Sequence, residues 1–252
     1  MCRAGFNLKI YEISPEEKRQ RRLPPHFNLE ETAGLIGIEL FGRDYLNMMC
    51  SLGLPTVMID APAHSSLRLM DCDFVSMENQ AGIIAIMKNV LDNGAKTIGF
   101  VGDREHCDSF YERWSAYAYV MDQAGLPINR DVCILTPDSA SYGDTDWLAE
   151  QLDRMPFIPD AFVCCNDFLA MHLITALKKR GLSIPQDVMI TGFDDIPQAS
   201  IMDPTLTTVR IPGADIGRAA ASVLLRRFEN PDQPYTWTRV KTTPVCREST
   251  NR

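Results

Sequence analysis

Between Thr97 and Thr191 the chain alternates short, wholly apolar runs with stretches of helical periodicity, and few folds accept that order. Thr97–Val101, Val132–Leu135, Ala161–Cys165 and Val188–Thr191 read as strands. The segments between them read as helices, one ending near Ala124 and the others over Asp144–Met155 and Asp167–Arg180. A strand that is apolar on both faces has to be covered on both. Strands of this kind, spaced by helices of about 10–15 residues, therefore predict a parallel sheet between helical layers. The punctuation agrees: Gly125 precedes Pro127 and Gly181 precedes Pro185. Each pair sets a residue free to turn left-handed, then one that cannot continue a helix, just past a predicted helix end.

Residues 1–77 repeat the theme less regularly. Phe6–Ile10 alternates as a strand, Gly34–Ile38 and Pro55–Ile59 are buried strands, and Arg43–Leu52 is the helix between those two, which makes a second α/β lobe. Ser14–Leu29 carries Glu16-Glu-Lys-Arg-Gln-Arg-Arg22 and two prolines, a composition for an exposed loop with at most a helical turn. Its basic cluster is balanced in part by Glu16 and Glu17 and reads as a solvated surface. After Thr208 a helix over Ala214–Phe228 has apolar residues at Ile216, Ala219, Ala220, Val223 and Leu224, and a β-rich run, Tyr235–Val245, follows.

Composition narrows the function. A chain of 252 residues, 45% hydrophobic, has room for two lobes, since about 100–150 residues is the usual packing unit. Its 25 Lys and Arg against 33 Asp and Glu give a formal charge of −8, and no concentrated basic face offsets it, so these residues alone are not predicted to grip a phosphate backbone. Eight cysteines lack any C-x-x-C spacing, and several sit in apolar runs, which fits reduced thiols of a cytoplasmic protein. No leader pattern is recognisable, and no apolar stretch approaches the ~18 residues of a membrane span.

No dinucleotide, Walker or nucleophile-elbow motif is present, and His26, His64, His106 and His172 lack metal spacing. The apolar surroundings of Cys164-Cys165 would raise a thiol's pKa. No catalytic residue, metal or cofactor is predicted. Polar residues do collect at the carboxyl ends of the predicted strands, where an open α/β sheet binds ligands. Asp60 ends one strand, Asp103 another, Asn166-Asp167 a third and Asp194-Asp195 a fourth, with Ser109 and Arg113 at the start of a helix. Acceptors, amide donors and a guanidinium suit the hydroxyls and carboxylates of a small polar solute. Arg113, Asn166 and Asp194 are the expected contacts, followed by Asp60 and Ser109, while Asp167 and Asp195 read as helix N-caps.

Cys165-Asn-Asp-Phe-Leu-Ala170, Gly192-Phe-Asp-Asp195, Pro204-Thr-Leu-Thr-Thr-Val209 and Arg247-Glu-Ser249 resemble, in order and spacing, segments of the effector-binding domain of LacI/GalR transcription regulators. Ser109–Tyr117 resembles the stretch with that family's effector-binding arginine, although Ala116 replaces a usual glycine. Met77-Glu-Asn79 has Glu where the family commonly has Asp. The resemblance spans Gly5–Ser249 and implies a type I periplasmic-binding-protein-like fold: two Rossmann-like lobes with parallel sheets, joined by three crossover segments, with the effector in the cleft between them. Crossings fall near Met77–Asn79, Thr208–Ile211 and Thr238–Thr242. The lobes are then 1–77 plus 210–239 and 78–209 plus 240–252.

The family match makes Arg113, Asn166 and Asp194 the effector contacts and puts Asp138 where sugar-sensing members place an aromatic platform, which speaks against a stacked pyranose. It implies a homodimer that binds a sugar or related effector, without membrane contact, and meets DNA through an amino-terminal helix-turn-helix outside these residues. The resemblance also implies that the first lobe lacks its first strand and helix, so that either the chain is a fragment or another segment fills the gap. Two rival readings share the architecture: a periplasmic solute-binding protein of a sugar transporter, and an enzyme.

Overall fold

The computed structural model describes residues 5–65 and 71–252. In chain order the elements are α1 (Pro15–Gln20), β1 (Leu35–Ile38), α2 (Arg43–Cys50), β2 (Thr56–Ile59), β3 (Asp73–Met77), α3 (Gln80–Asp92), β4 (Ile98–Val101), α4 (Asp108–Gln123), α5 (Thr145–Asp153), β5 (Ala161–Cys164), α6 (Asp167–Lys179), β6 (Met189–Thr191), β7 (Thr208–Arg210), α7 (Gly213–Glu229), β8 (Trp237–Val240) and β9 (Thr243–Val245). They form two compact units. One comprises Met1–Ser76 with Gly213–Val240, the other Met77–Pro212 with Lys241–Arg252, so the chain passes between units three times.

The larger unit holds the parallel sheet β4-β5-β6, in register at Ile98↔Ala161 and Ala161↔Met189. Every residue of these strands is buried, so both faces are covered as their composition requires. Phe100 and Phe162 are fully buried, each worth about 1.5–3 kcal/mol of apolar transfer. In α3, Ile83, Ile86, Met87 and Val90 are buried at helical spacing. Just ahead of the helix, the Glu78 carboxylate accepts from the Gln80 and Ala81 amides and satisfies donors that the first turn cannot. β7 and β9 form a separate antiparallel pair, Thr208↔Val245 to Arg210↔Thr243. Gly125 and Gly181 do end α4 and α6 with φ of +65° and +77°.

The smaller unit is a four-stranded sheet, β1-β2-β3-β8, parallel through its first three strands. α2 contributes Tyr45, Leu46 and Met49 to a core with Met58 and Phe74, and Phe74 stacks on Trp237 at 4.6 Å. α1 has no buried residue and is closed by a Ser14–Glu17 capping box, a solvated turn as its composition predicts.

Two strand expectations need correction. Phe6–Ile10 is not a strand. Phe6 packs on Phe228, but Leu8 is 65% and Ile10 87% exposed, because alternation alone forms no strand without a neighbouring backbone to pair with. Val132–Leu135 is a 3-10 turn over Arg130–Val132 followed by a single bridge, Ile134 to Val101. The β-rich run Tyr235–Val245 holds β8 and β9, one in each unit, with the chain passing between them inside the expected Thr238–Thr242 crossing. β3, which the sequence reading did not pick out, is a full strand whose Asp73 and Ser76 are buried polar groups with distant partners.

Candidate functional site

Residues at the carboxyl ends of β5 and β6, together with Asn79 just ahead of α3, converge on one side chain. Arg113, on α4, is 3% exposed. Its Nε donates to Asn79 Oδ1 at 3.0 Å and its Nη1 to the Cys165 carbonyl at 2.7 Å, and the guanidinium lies 3.6 Å from the Phe193 ring centroid. Asp194 Oδ1 is 3.9 Å from Nη1, too long for a hydrogen bond and close enough for electrostatic attraction. Asn79 itself donates to Glu112 Oε2 at 2.8 Å and Ser109 Oγ at 3.3 Å. A guanidinium held on three sides cannot swing away, so whatever meets its remaining edge meets a fixed geometry.

Asn166 caps α6: its Oδ1 accepts from the Leu169 amide at 2.9 Å. The cap is Asn166 and not Asp167, which corrects the expectation for that pair. Among the described residues its amide nitrogen has no acceptor, and the side chain is partly open to solvent. Asp194 has φ +121°, a conformation rare outside glycine and worth a functional question. At the margin Asp103 accepts from the Asp138 amide at 2.9 Å, and the Asp138 carboxylate, 48% exposed, stands 3.4 Å from His106. Ser109 is buried, and its hydroxyl is 3.2 Å from Met77 Sδ. Asp60, in the smaller unit, sits at φ +61° with Oδ1 accepting from the Ala61 amide at 2.8 Å.

Beneath these residues lies a polar framework. Asp167 is buried and accepts from Thr208 Oγ1 at 2.5 Å and the Ile196 amide at 3.0 Å. Gly192 is obligatory here, because a Cβ would collide with Asp167 Oδ1 and lie 3.1 Å from Leu206. Asp195 is not a cap: it pairs with Arg210 at 2.6 Å and Arg247 at 2.6 Å. Burial works to raise its pKa, but Arg247 and then Arg210 hold it below the ordinary value. Thr207 Oγ1 meets Thr250 Oγ1 at 2.7 Å, and the Thr207 amide donates to Ser249 Oγ at 2.8 Å. The four motif segments therefore owe much of their composition to this scaffold, which ties the end of the chain to β6 and β7.

Burial pushes the Asp167 carboxyl up to about 6, against the opposing Thr208 hydrogen bond. The folded state then keeps a proton that the unfolded chain has released, so stability falls as pH rises from about 4 through 6 and levels off above. Compared with Asp167→Asn, the wild type is expected to lose about 2 kcal/mol more between pH 4 and pH 7, as measured by urea denaturation at both values. Parallel pH profiles would contradict this.

The structure thus gathers Arg113, Asp194 and Ser109, and sets Asn166 next to the carbonyl that Arg113 holds. Asp138 stands apart with His106, and Asp60 belongs to the other unit. Asn79, Glu112 and Phe193 are site residues the sequence reading did not assign. Glu112 and Phe193 are neighbours of Arg113 and Asp194 in sequence, whereas Asn79 lies in the Met77–Asn79 segment singled out as a crossing and meets Arg113 only in the fold. Among the described residues no group of three or more His, Cys, Asp or Glu is placed to hold a metal ion, and no helix is long and apolar enough to cross a membrane.

Residues 87–250 match the model of the periplasmic binding protein-like domain. The ribose operon repressor of Haemophilus influenzae is 26% identical over 246 residues, 97% of this chain and 72% of that protein. The HTH-type transcriptional repressor PurR of Actinobacillus pleuropneumoniae serotype 3 is 28% identical over 235 residues, 92% of this chain and 67% of that protein. Among solved structures, the complex of the transcriptional regulator CelR with cellobiose superposes with a TM-score of 0.77 at 23% identity, covering 87% of this chain and 66% of that one. The α/β architecture with parallel sheets matches this fold.

Proposed function

Because this chain belongs to the family of periplasmic binding protein-like domains, we propose that it is the effector-sensing core of a LacI/GalR-type transcription regulator, a non-catalytic binder of a small polar molecule. The observation that carries this reading is the buried, triply held Arg113, flanked by Asp194 and Asn166 at the carboxyl ends of β6 and β5. The proposed contacts are Arg113, Asn166 and Asp194, with Ser109 and Asp138 secondary, and Asp60 is the candidate within the smaller unit. A guanidinium, a carboxylate and a primary amide in one place suit vicinal hydroxyls, and a sugar or sugar derivative is the ligand class they favour. The two relatives above are repressors, which favours this reading over a transporter component.

A regulator of this kind works as a homodimer in the cytoplasm and reads DNA through a helix-turn-helix segment outside these residues. Effector binding alters DNA affinity by no more than the difference in effector affinity between the two functional states. A thermal-shift screen of pentoses, hexoses, sugar phosphates and purines tests the reading. A true effector at about 100 times its Kd stabilises the fold by about 2.7 kcal/mol, a rise of roughly 5–10 °C for a domain of this size. Asp194→Asn is expected to lose most of that rise. An undiminished shift would remove Asp194 from the site, and a screen with no hit among the sugars would contradict the proposed ligand class.

A further inference from the structure

We propose that Glu112 is a positioning residue of the effector site, acting through Asn79 to fix the Arg113 guanidinium in the orientation that meets a ligand. This rests on the reading of Arg113 as an effector contact. Ser109, Glu112 and Arg113 stand at the i, i+3 and i+4 spacing of α4, which places them on one face of the helix. All three are buried, and so is the Asn79 side chain they hold. Asn79 Nδ2 donates to Glu112 Oε2 at 2.8 Å, and Asn79 Oδ1 accepts from Arg113 Nε at 3.0 Å.

A primary amide has one donating and one accepting end, whereas a guanidinium only donates. The amide oxygen of Asn79 therefore has to face Arg113, and its nitrogen has to find acceptors on the other side. Three are in reach: the Glu112 carboxyl, the Met77 carbonyl at 3.2 Å and Ser109 Oγ at 3.3 Å. The Glu112 contact is the shortest, and an acidic acceptor binds an N–H more strongly than a neutral one. Without Glu112 the far end of the amide is held by two long contacts, and Arg113 Nε loses a fixed acceptor. The guanidinium keeps its Nη1 bond to the Cys165 carbonyl and is then able to turn about it.

Asn79 also belongs to the segment on which the chain enters the larger unit, at Met77. In that segment Met77 Sδ accepts from Ser109 Oγ at 3.2 Å, and the Glu78 carbonyl accepts from Thr242 Oγ1 at 2.9 Å, next to another passage between the units at Lys241. Glu112 therefore fastens the effector-contacting guanidinium to chain segments that lead out of the unit, and a ligand that pulls on Arg113 loads those segments directly.

Solvent exchange of the Arg113 Nε proton, followed by heteronuclear NMR on the isotope-labelled full chain, tests the assignment without a ligand. The resonance is identified by its absence from Arg113→Lys, and the Ala161 and Cys165 amides, bonded to the Thr97 and Val101 carbonyls, report the stability of the same unit. Glu112→Ala is expected to speed exchange at Arg113 by roughly 10- to 100-fold, the weight of one hydrogen bond to a charged group, and to leave the two amides near their wild-type rates. Glu112→Gln, whose amide oxygen still accepts, is expected to restore most of the protection. Asn79→Asp alone sets two carboxyl groups against each other and exposes the proton, and adding Glu112→Gln supplies a donor and protects it again. Unchanged exchange at Arg113 in Glu112→Ala would overturn the proposal, as would acceleration of the amides by the same factor. Should Glu112→Ala fail to fold, the Asn79→Asp pair decides: no recovery on adding Glu112→Gln refutes the role. A ligand screen without a hit would instead count against the effector reading, since the exchange rates need no ligand.

Discussion

Arg113→Met is expected to erase the effector-induced thermal shift and to lower the folding free energy by about 3–5 kcal/mol, the usual cost of removing one partner from a buried charged network. Methionine keeps much of the volume, so the loss reports the guanidinium. Its removal leaves Asn79 Oδ1 and the Cys165 carbonyl without these donors and takes a cation away from Asp194. Arg113→Lys separates the two effects. An ammonium can reach one acceptor but cannot present a planar fork or stack as Arg113 does on Phe193, so this variant is expected to recover part of the stability and little of the binding. Urea denaturation with and without the effector measures both. An Arg113→Met protein that keeps its effector response would place the ligand elsewhere.

Arg227→Ala is expected to cost a comparable 3–5 kcal/mol in the smaller unit. Asp73 is fully buried, and Arg227, 4% exposed, donates to its Oδ2 from Nε at 2.9 Å. The same guanidinium donates to the Pro231 and Pro234 carbonyls, and Asp73 Oδ1 accepts from the Thr236 amide at 2.8 Å. One pair therefore links α7, β3 and the lead into β8. Truncation strands a carboxylate with no water to solvate it and frees the 231–236 turn. Amide hydrogen exchange should show protection lost first in β3 and β8 and retained in β4, β5 and β6. Uniform loss across all five strands would contradict this assignment of the pair to the smaller unit.

The parts of the fold visible from sequence are those whose reasons are local. β4, β5 and β6 are apolar on both faces and bounded by capped helices, so composition and punctuation agree. β3 was invisible because Asp73 and Ser76 break its apolar run, and their partners, Arg227 and Trp237, lie far along the chain. Phe6–Ile10 failed for the opposite reason: it has strand alternation but no paired backbone. The site shows the same division. Arg113, Asn166 and Asp194 could be named because strand ends are where such sheets expose polar groups. Asn79 and Glu112 escaped notice because only the packing of α3 on α4 gives them their role. Asp195 looked like a cap, since sequence does not reveal that Arg210 and Arg247 converge on it.

A crystal structure of the chain with the strongest hit from the ligand screen tests the central claim most directly. The account predicts one bound molecule within hydrogen-bonding distance of the Arg113 guanidinium, the Asn166 amide and the Asp194 carboxylate together. Density for the ligand that touches none of these three, or that meets Arg113 only after it has left Asn79 and the Cys165 carbonyl, would contradict it.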